Sequence, residues 1–339
     1  MKRKLGLVMV LAFLVSVLAA PMIASAADTE LSLSLIIPPK HLRYINVLDP
    51  WVKMVEEKTG GKVKMTVYFA AAMAPPPQTF ESVLTGIADV AEGIVYATPG
   101  QFPLTETVML PELGLESSKA CSTALWKAYK EIPAVKEEWE GVKMLWLHTT
   151  PGTKLITRNK PVRTLEDVKG MKIRVSGATA VKMGNALGFT PVSMPMGDLY
   201  LGLEKGVIDG VALPSEILVS RRLGEVAKYV TNIDLGHDAF FIVMNQAKWD
   251  ALSPEIQKVL TELSGDWAVD FTAKEWDKFD KEAEATNKKS GIEYIDLAPE
   301  EKAKWQQLLA PVKNDYAADL DKKGLPGTEV LKFIMGQGK

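Results

Sequence analysis

Leu165-Glu166-Asp167-Val168-Lys169-Gly170-Met171-Lys172-Ile173-Arg174-Val175 reads as a one-turn helix, a glycine stop and a buried strand. Thr164 precedes it as an N-cap, with the acidic Asp167 three positions on, the pairing that satisfies two orphan backbone donors at a helix start. Gly170 then suits the left-handed position just past a helix end. In the strand, Met171, Ile173 and Val175 point to one face, and Lys172 and Arg174 to the other. An arginine in a sheet covered by helices cannot shed its proton, so Arg174 must find an anion or a set of carbonyls. That anion is either a ligand or a carboxylate of the protein itself, and the residues alone leave the two readings level.

Outward from this stretch, strand and helix patterns alternate. Segments 31–37, 62–69, 88–95, 142–148, 155–157, 172–175, 207–213, 229–233 and 240–245 read as strands, the last two being the final clear ones. Helical patterns fall at 80–84 and 178–187. Such alternation predicts an α/β fold with mixed, mostly parallel sheets. From Ser253-Pro254-Glu255 the composition turns helical, with Ile256, Leu260, Leu263, Trp267 and Phe271 at helical spacing. One helix from 254 to about 288 would be ~50 Å long, enough to cross two small domains. A second helix follows Pro299, with an interruption expected at Pro311 and a stop at Gly324-Leu325-Pro326.

The N-terminus carries Met1-Lys2-Arg3-Lys4, an apolar run over residues 5–20 and Ala24-Ser25-Ala26. These are the n-region, h-region and cleavage site of a secretory signal peptide, with cleavage expected after Ala26. A membrane anchor is the rival reading, but the apolar run is shorter than the ~20 residues a spanning helix needs. Residues 1–26 hold three of the 40 basic residues and none of the 42 acidic ones, so the exported chain is mildly acidic. An acidic surface without a basic block argues against nucleic acid and anionic membranes as partners. Cys121 is the only cysteine, which excludes an intramolecular disulfide and thiolate metal sites. His41, His148 and His237 form no pair at metal-ligand spacing, and no nucleophile elbow is present. No metal, cofactor or catalytic residue is therefore expected. His41 follows Pro38-Pro39-Lys40 at the end of the first strand, where α/β proteins place ligands; a histidine bonded within its own loop fits equally well. His148 reads as core, and Met194 and Met196 more as packing than as cofactor ligands.

The blocks in their order resemble the extracytoplasmic solute-binding proteins of tripartite ATP-independent periplasmic (TRAP) transporters, the C4-dicarboxylate-binding-type family. The resemblance is carried by residues 165–175, Ala186-Leu187-Gly188, Pro191, Met194, Leu199-Tyr200, Leu203, Gly206-Val207-Ile208-Asp209-Gly210 and Pro214, with Glu81-Ser82-Val83 and Gly86-Ile87-Ala88-Asp89 upstream. It implies a two-lobe periplasmic binding protein fold, class II-like, with a long helix spanning both lobes. Lobe I would comprise 27–150 with 237–285 returning to it, and lobe II 151–236 with 290–339 packing on it. The ligand cleft would lie between them. It also implies a carboxylate held by Arg174, whose planar fork matches a carboxylate bidentately. The partners implied are the small and large subunits of an integral membrane TRAP permease, and the chain would be a periplasmic monomer or weak homodimer.

The departures from the family bear on the ligand. Where some members carry a second arginine after Gly-Thr, Gly152-Thr153 is followed by Lys154. The 211–213 segment is wholly apolar, and Met196 stands where an aromatic is frequent. Few polar partners should reject polyhydroxylated sugar acids, whose hydroxyls would be buried unpaired. The expectation is an organic acid with an apolar or aromatic body and a single carboxylate on Arg174. Lys154, His41, Met196, Leu213, Trp146 and Phe240, or Phe241, would contribute to the pocket. The alternatives are a C4-dicarboxylate with its second carboxylate on Lys154, and a ligand-sensing adaptor for a receptor. An enzyme ranks below these, for want of a nucleophile–base pair.

Overall fold

The computed structural model describes residues 29–338. The signal peptide expected over residues 1–26, with its cleavage after Ala26, lies outside them. Eleven strands are described: β1 Thr29–Leu35, β2 Val63–Tyr68, β3 Val90–Ile94, β4 Val142–Thr149, β5 Lys154–Thr157, β6 Lys172–Arg174, β7 Thr190–Val192, β8 Gly210–Leu213, β9 Tyr229–Asn232, β10 Ala239–Asn245 and β11 Glu293–Asp296. They form two sheets, in the orders β2-β1-β3-β10-β4 and β11-β9-β5-β8-β6-β7. In the first, β2 and β3 flank β1 in parallel, and β10 enters antiparallel between β3 and β4. In the second, β6 is parallel to both β7 and β8, while β5 runs against β8 and β9.

The local chemistry at 164–175 is as the residues dictate. Thr164 and Asp167 close a capping box over the short helix Leu165–Val168. Gly170 takes φ +72°, which glycine adopts without a Cβ clash. Met171, Ile173 and Val175 then enter one core of the second sheet. Neighbouring positions on β5 and β8 feed opposite faces: Leu155 and Ala212 join that core, whereas Ile156, Val211 and Leu213 join another with Leu199 and Leu203. The apolar 211–213 run is thus explained mainly by burial on both faces of a central strand.

The chain passes between the sheets at 150–153 and again at 233–238. These two crossings pair with one another: Thr150 N donates to Asp238 O (2.9 Å), Thr153 N to Gly236 O (2.7 Å) and Leu235 N to Thr153 O (3.1 Å). A third connection is helical. The helix Gly265–Lys289 meets elements of both sheets. Asp277 Oδ1 accepts from Ser118 N (2.7 Å), at the start of the helix Ser118–Glu131 that covers β4, and Asp280 Oδ1 accepts from Ser215 Oγ (2.8 Å), beyond β8.

Four expectations need correction. The helix from 254 is bent: Pro254–Glu262 and Gly265–Lys289 are separated at Leu263 and Ser264. Gly265 has φ +56°, incompatible with a continuous helix, and Trp51 Nε1 donates to the freed Leu263 carbonyl at 2.9 Å. Conversely, the helix Pro299–Asp321 runs through Pro311, since Pro311 and Gln307, whose carbonyl loses its partner, are both exposed to water. Two short edge strands, β7 and β11, were not expected; Pro191 is tolerated because β7 ends its sheet. Finally, residues 290–339 do not all pack on the second sheet. Val330, Leu331 and Ile334 of the last helix, Gly327–Gly336, enter the core of the first.

Candidate ligand-binding site

A cavity of about 480 Å³ lies between the two sheets, within the usual range for a small-molecule site. It sits beyond the carboxyl ends of parallel strands from both: Ile36 and Ile37 follow β1, Ile94 and Tyr96 end or follow β3, Arg174 ends β6, and Leu213 and Pro214 end or follow β8. This is where an α/β sheet leaves a crevice. Most of the wall is apolar. Pro76, Pro77, Met194, Pro195, Met196, Ile217, Phe240 and Trp276 contribute to it.

Arg174 reaches this cavity while only 5% exposed. Its Nε donates to Met194 O (3.2 Å) and its Nη1 to Ser176 Oγ (2.7 Å). Both acceptors are neutral, so they aim the guanidinium without cancelling its charge. No carboxylate stands within ion-pair distance of Arg174 among the described residues. Asp238, buried at the end of the second crossing, is the acid that feels its field: burial raises the Asp238 carboxyl to about 6, with Arg174, His237 and Arg43 opposing. The internal salt bridge that competed with a ligand in the sequence reading is absent here.

The cavity also holds two arginines that sequence reasoning missed. Arg43 is 3% exposed and ion-paired to the fully buried Glu92: its Nη2 donates to Oε2 at 3.1 Å, while its Nε stands 2.5 Å from Oε1 without completing a hydrogen bond. Its guanidinium carbon lies 4.1 Å from the centroid of Phe240. Arg221 is half-buried beside Glu216, whose carboxyl burial raises to about 7 despite Ser220, Arg43 and Arg221 nearby. Arg43 stands two positions past His41, in the loop after β1 that the strand-end rule had already singled out. Glu216, Arg221 and Asp238 carried no comparable signal, because each becomes remarkable only through burial.

Of the residues named from sequence, Arg174, His41, Met196, Leu213 and Phe240 come together around this cavity, joined by Met194. His41 is buried and neutral; burial, then Arg43 and Arg221, drop its ring to about 2. Trp146 and Lys154 are not brought there. Trp146 is 1% exposed in the core of the first sheet, edge-on to Trp51 at 5.2 Å; it shares the face of His148 and Phe240 but lies two positions further back along β4 from the crevice. Phe241 likewise points into that core, against Phe102 and Trp139. Lys154 faces a separate hollow of about 350 Å³ with Glu112, Asp234 and Lys302, and its ammonium lies 3.8 Å from Asp280 and 3.7 Å from Glu284. Only Leu213 of the 211–213 run lines the main cavity.

Comparison with known proteins agrees with this architecture. The family model for bacterial extracellular solute-binding protein, family 7 (DctP), matches residues 33–319. The C4-dicarboxylate-binding periplasmic protein DctP of Rhodobacter capsulatus is 25% identical over 314 residues, covering 87% of this chain and 92% of its own. A marine metagenome TRAP solute-binding protein specific for aromatic acid ligands, solved with metahydroxyphenylacetate, superposes with a TM-score of 0.87 at 27% identity, covering 91% and 98% of the two chains. A TRAP periplasmic solute-binding protein from Bordetella bronchiseptica, with bound (R)- and (S)-mandelate, gives 0.83 at 27% identity over the same shares. With its two sheets, its bent helix across both and its buried arginine between them, this chain belongs to family 7 of the bacterial extracellular solute-binding proteins, the periplasmic binding components that work with TRAP permeases.

Proposed function

We propose that this protein captures an aromatic or otherwise apolar monocarboxylate in the periplasm and delivers it to a TRAP permease of a small and a large subunit. The observation that carries the reading is Arg174, held by neutral acceptors at the mouth of β6 and facing a largely apolar cavity. Desolvated guanidinium is satisfied by one carboxylate, with two charge-assisted hydrogen bonds in a fixed plane. The apolar wall then sets the shape of the remainder. The aromatic acids bound in the two solved relatives support the same choice. A C4-dicarboxylate, as the name of the R. capsulatus relative would suggest, needs a second unpaired cation. Lys154 lies outside the cavity, Arg43 is already matched by Glu92, and Arg221 stands beside the buried Glu216 carboxyl, against which a second carboxylate would be placed.

In this reading lobe I carries the first sheet with residues 237–285, and lobe II carries the second. A carboxylate touching both favours the closed form, since a ligand shifts an equilibrium only by its differential affinity for the two states. The protein acts as a binding component without catalysis, as a monomer or weak homodimer, after cleavage following Ala26.

The test is a thermal-shift panel of ligand-free protein against benzoate, phenylacetate and mandelate, and against succinate and malate. A ligand at 1,000 times its Kd contributes about 4 kcal/mol, which is several degrees of Tm. Aryl acids should give that shift and dicarboxylates none. A larger shift with succinate or malate overturns the ligand class, and turnover of any bound acid overturns the non-enzymatic reading.

A further inference from the structure

Placing one carboxylate on Arg174 leaves an acid of the cavity wall without a partner. Asp238 closes the second crossing and is 7% exposed. Its backbone is fixed on both sides, since its N–H donates to Thr150 Oγ1 at 3.0 Å and its carbonyl accepts from Thr150 N at 2.9 Å. Phe240, two positions on, lines the cavity as Asp238 does, so the two side chains share the crevice-facing side of the chain. The Asp238 carboxyl receives no hydrogen bond or ion pair among the described residues, and neither of its oxygens is sealed from solvent. The polar side chains around it are committed elsewhere. His237 sets both ring nitrogens on carbonyls, Nδ1 on Thr150 O (2.9 Å) and Nε2 on Leu115 O (3.0 Å). Arg174 gives Nε to Met194 O and Nη1 to Ser176 Oγ, and the Tyr96 hydroxyl stands beside Arg174 and Ser176.

Water satisfies such a carboxyl in an open cavity, but a bound ligand displaces that water. A ligand with nothing to offer in its place leaves a buried polar group unpaired, which costs affinity. Arg174 is foremost among the cations whose fields reach Asp238. The group that meets Asp238 therefore belongs at the carboxylate end of the ligand, on the adjoining carbon. Its chemistry follows from what each candidate can offer. An ammonium pairs only with the ionised acid, and would enter among the guanidiniums of Arg174, Arg43 and Arg221. A second carboxylate pairs only with the protonated acid, and would stand against the first. A hydroxyl donates to the ionised acid and accepts from the protonated one, through a single oxygen. Burial raises this carboxyl to about 6, so both forms are populated near neutral pH, and a hydroxyl suits both.

We propose that Asp238 is a specificity-determining residue whose carboxyl pairs with a hydroxyl on the carbon next to the ligand's carboxylate. The preferred ligand is then an α-hydroxy acid with an apolar or aromatic body: Arg174 takes the carboxylate, Asp238 the hydroxyl, and the apolar wall the remainder. This rests on the assignment of the carboxylate to Arg174.

The experiment is calorimetric titration of the full mature chain with four kinds of acid on one skeleton. Phenylacetate has no hydroxyl, and (R)- and (S)-mandelate add one on the adjoining carbon. 3-Hydroxyphenylacetate carries it on the ring, and phenylglycine puts an ammonium in its place. One mandelate enantiomer should bind about tenfold or more tightly than phenylacetate, the discrimination expected where a site is built to pair a hydroxyl. In Asp238→Ala and in Asp238→Val that ratio should fall to about twofold or less. The wild-type series is a test by itself should a variant fold poorly. Three results overturn the role of Asp238 and leave the carboxylate assignment standing: mandelate no tighter than phenylacetate, a ratio unchanged in a folded variant, or phenylglycine or 3-hydroxyphenylacetate tighter than both mandelates. Failure of every one of these acids to bind overturns the carboxylate assignment itself.

Discussion

Removing the charge of Glu92 is the sharpest test of how the cavity wall is held. Glu92 sits on β3 with no exposure, opposite Leu35 of β1 and Ile242 of β10, so no water can replace it. Its Oε2 accepts from Arg43 Nη2 and its Oε1 lies against Nε as an ion pair, while the guanidinium lies over Phe240 and 5.6 Å from the Trp276 ring. Glu92→Gln keeps the shape and deletes the counter-charge. The residual attraction of Arg43 to the aromatic faces, about 1–2 kcal/mol, does not offset an unpaired buried cation, whose cost is about 3–5 kcal/mol. At about 2–4 °C per kcal/mol, thermal unfolding of the ligand-free variant followed by circular dichroism should show Tm lowered by roughly 6–20 °C. The double variant Arg43→Met/Glu92→Leu should recover most of that loss, since apolar replacement of a whole buried pair is close to neutral. A single variant that melts within about 2 °C of wild type would refute the reasoning.

Other consequences follow from the placements above. Trp146→Ala should lower stability by about 3–5 kcal/mol in chemical denaturation while changing ligand Kd less than about twofold, because the ring lies in the core; a tenfold loss of affinity would put it back in the pocket. Lys154→Met should leave affinity for aryl acids within about twofold, and cost under about 1 kcal/mol of stability, its partners Asp280 and Glu284 being partly exposed; a large selective loss of succinate binding would favour the dicarboxylate reading. Affinity should also depend on pH. Burial raises Asp238 to about 6 and Glu216 to about 7, and both line the cavity. As pH rises from 5.5 to 8 they ionise beside the bound carboxylate, so calorimetric affinity should fall by about three- to tenfold. Asp238→Asn should flatten the lower part of that curve. The same shifts act on folding in a fixed direction. The unfolded carboxyls titrate near 4, so the stability conferred by their protonated forms is complete below about pH 4 and is lost as pH rises through about 6 to 7.

Much of this architecture was legible where local chemistry and burial agree. The capping box at Thr164, the stop at Gly170 and the alternation along β6 placed Arg174 on its buried strand from the twelve residues 164–175. Periodicity alone misjudged the break at Ser264, because Gly265 interrupts an otherwise apolar helical stripe and only Trp51, more than 200 positions away in sequence, accounts for the freed carbonyl. It misjudged Pro311 in the opposite sense, since whether a proline ends a helix depends on the exposure of the carbonyl it orphans. Trp146 shows the limit for the site: alternation tells which residues share a face, but not how far along β4 the crevice reaches. Glu216 and Asp238 were invisible for a related reason. A charged residue in a loop is ordinary until the second sheet is laid over it.

The most direct measurement is a crystal structure of the protein with the aryl acid that stabilises it most. The account predicts a carboxylate within hydrogen-bond distance of the Arg174 guanidinium, with the ring against Met194, Met196 and Phe240 and no density bridging to Lys154. A carboxylate seated elsewhere, with Arg174 still bonded to Met194 O and Ser176 Oγ and touching no ligand oxygen, would contradict it.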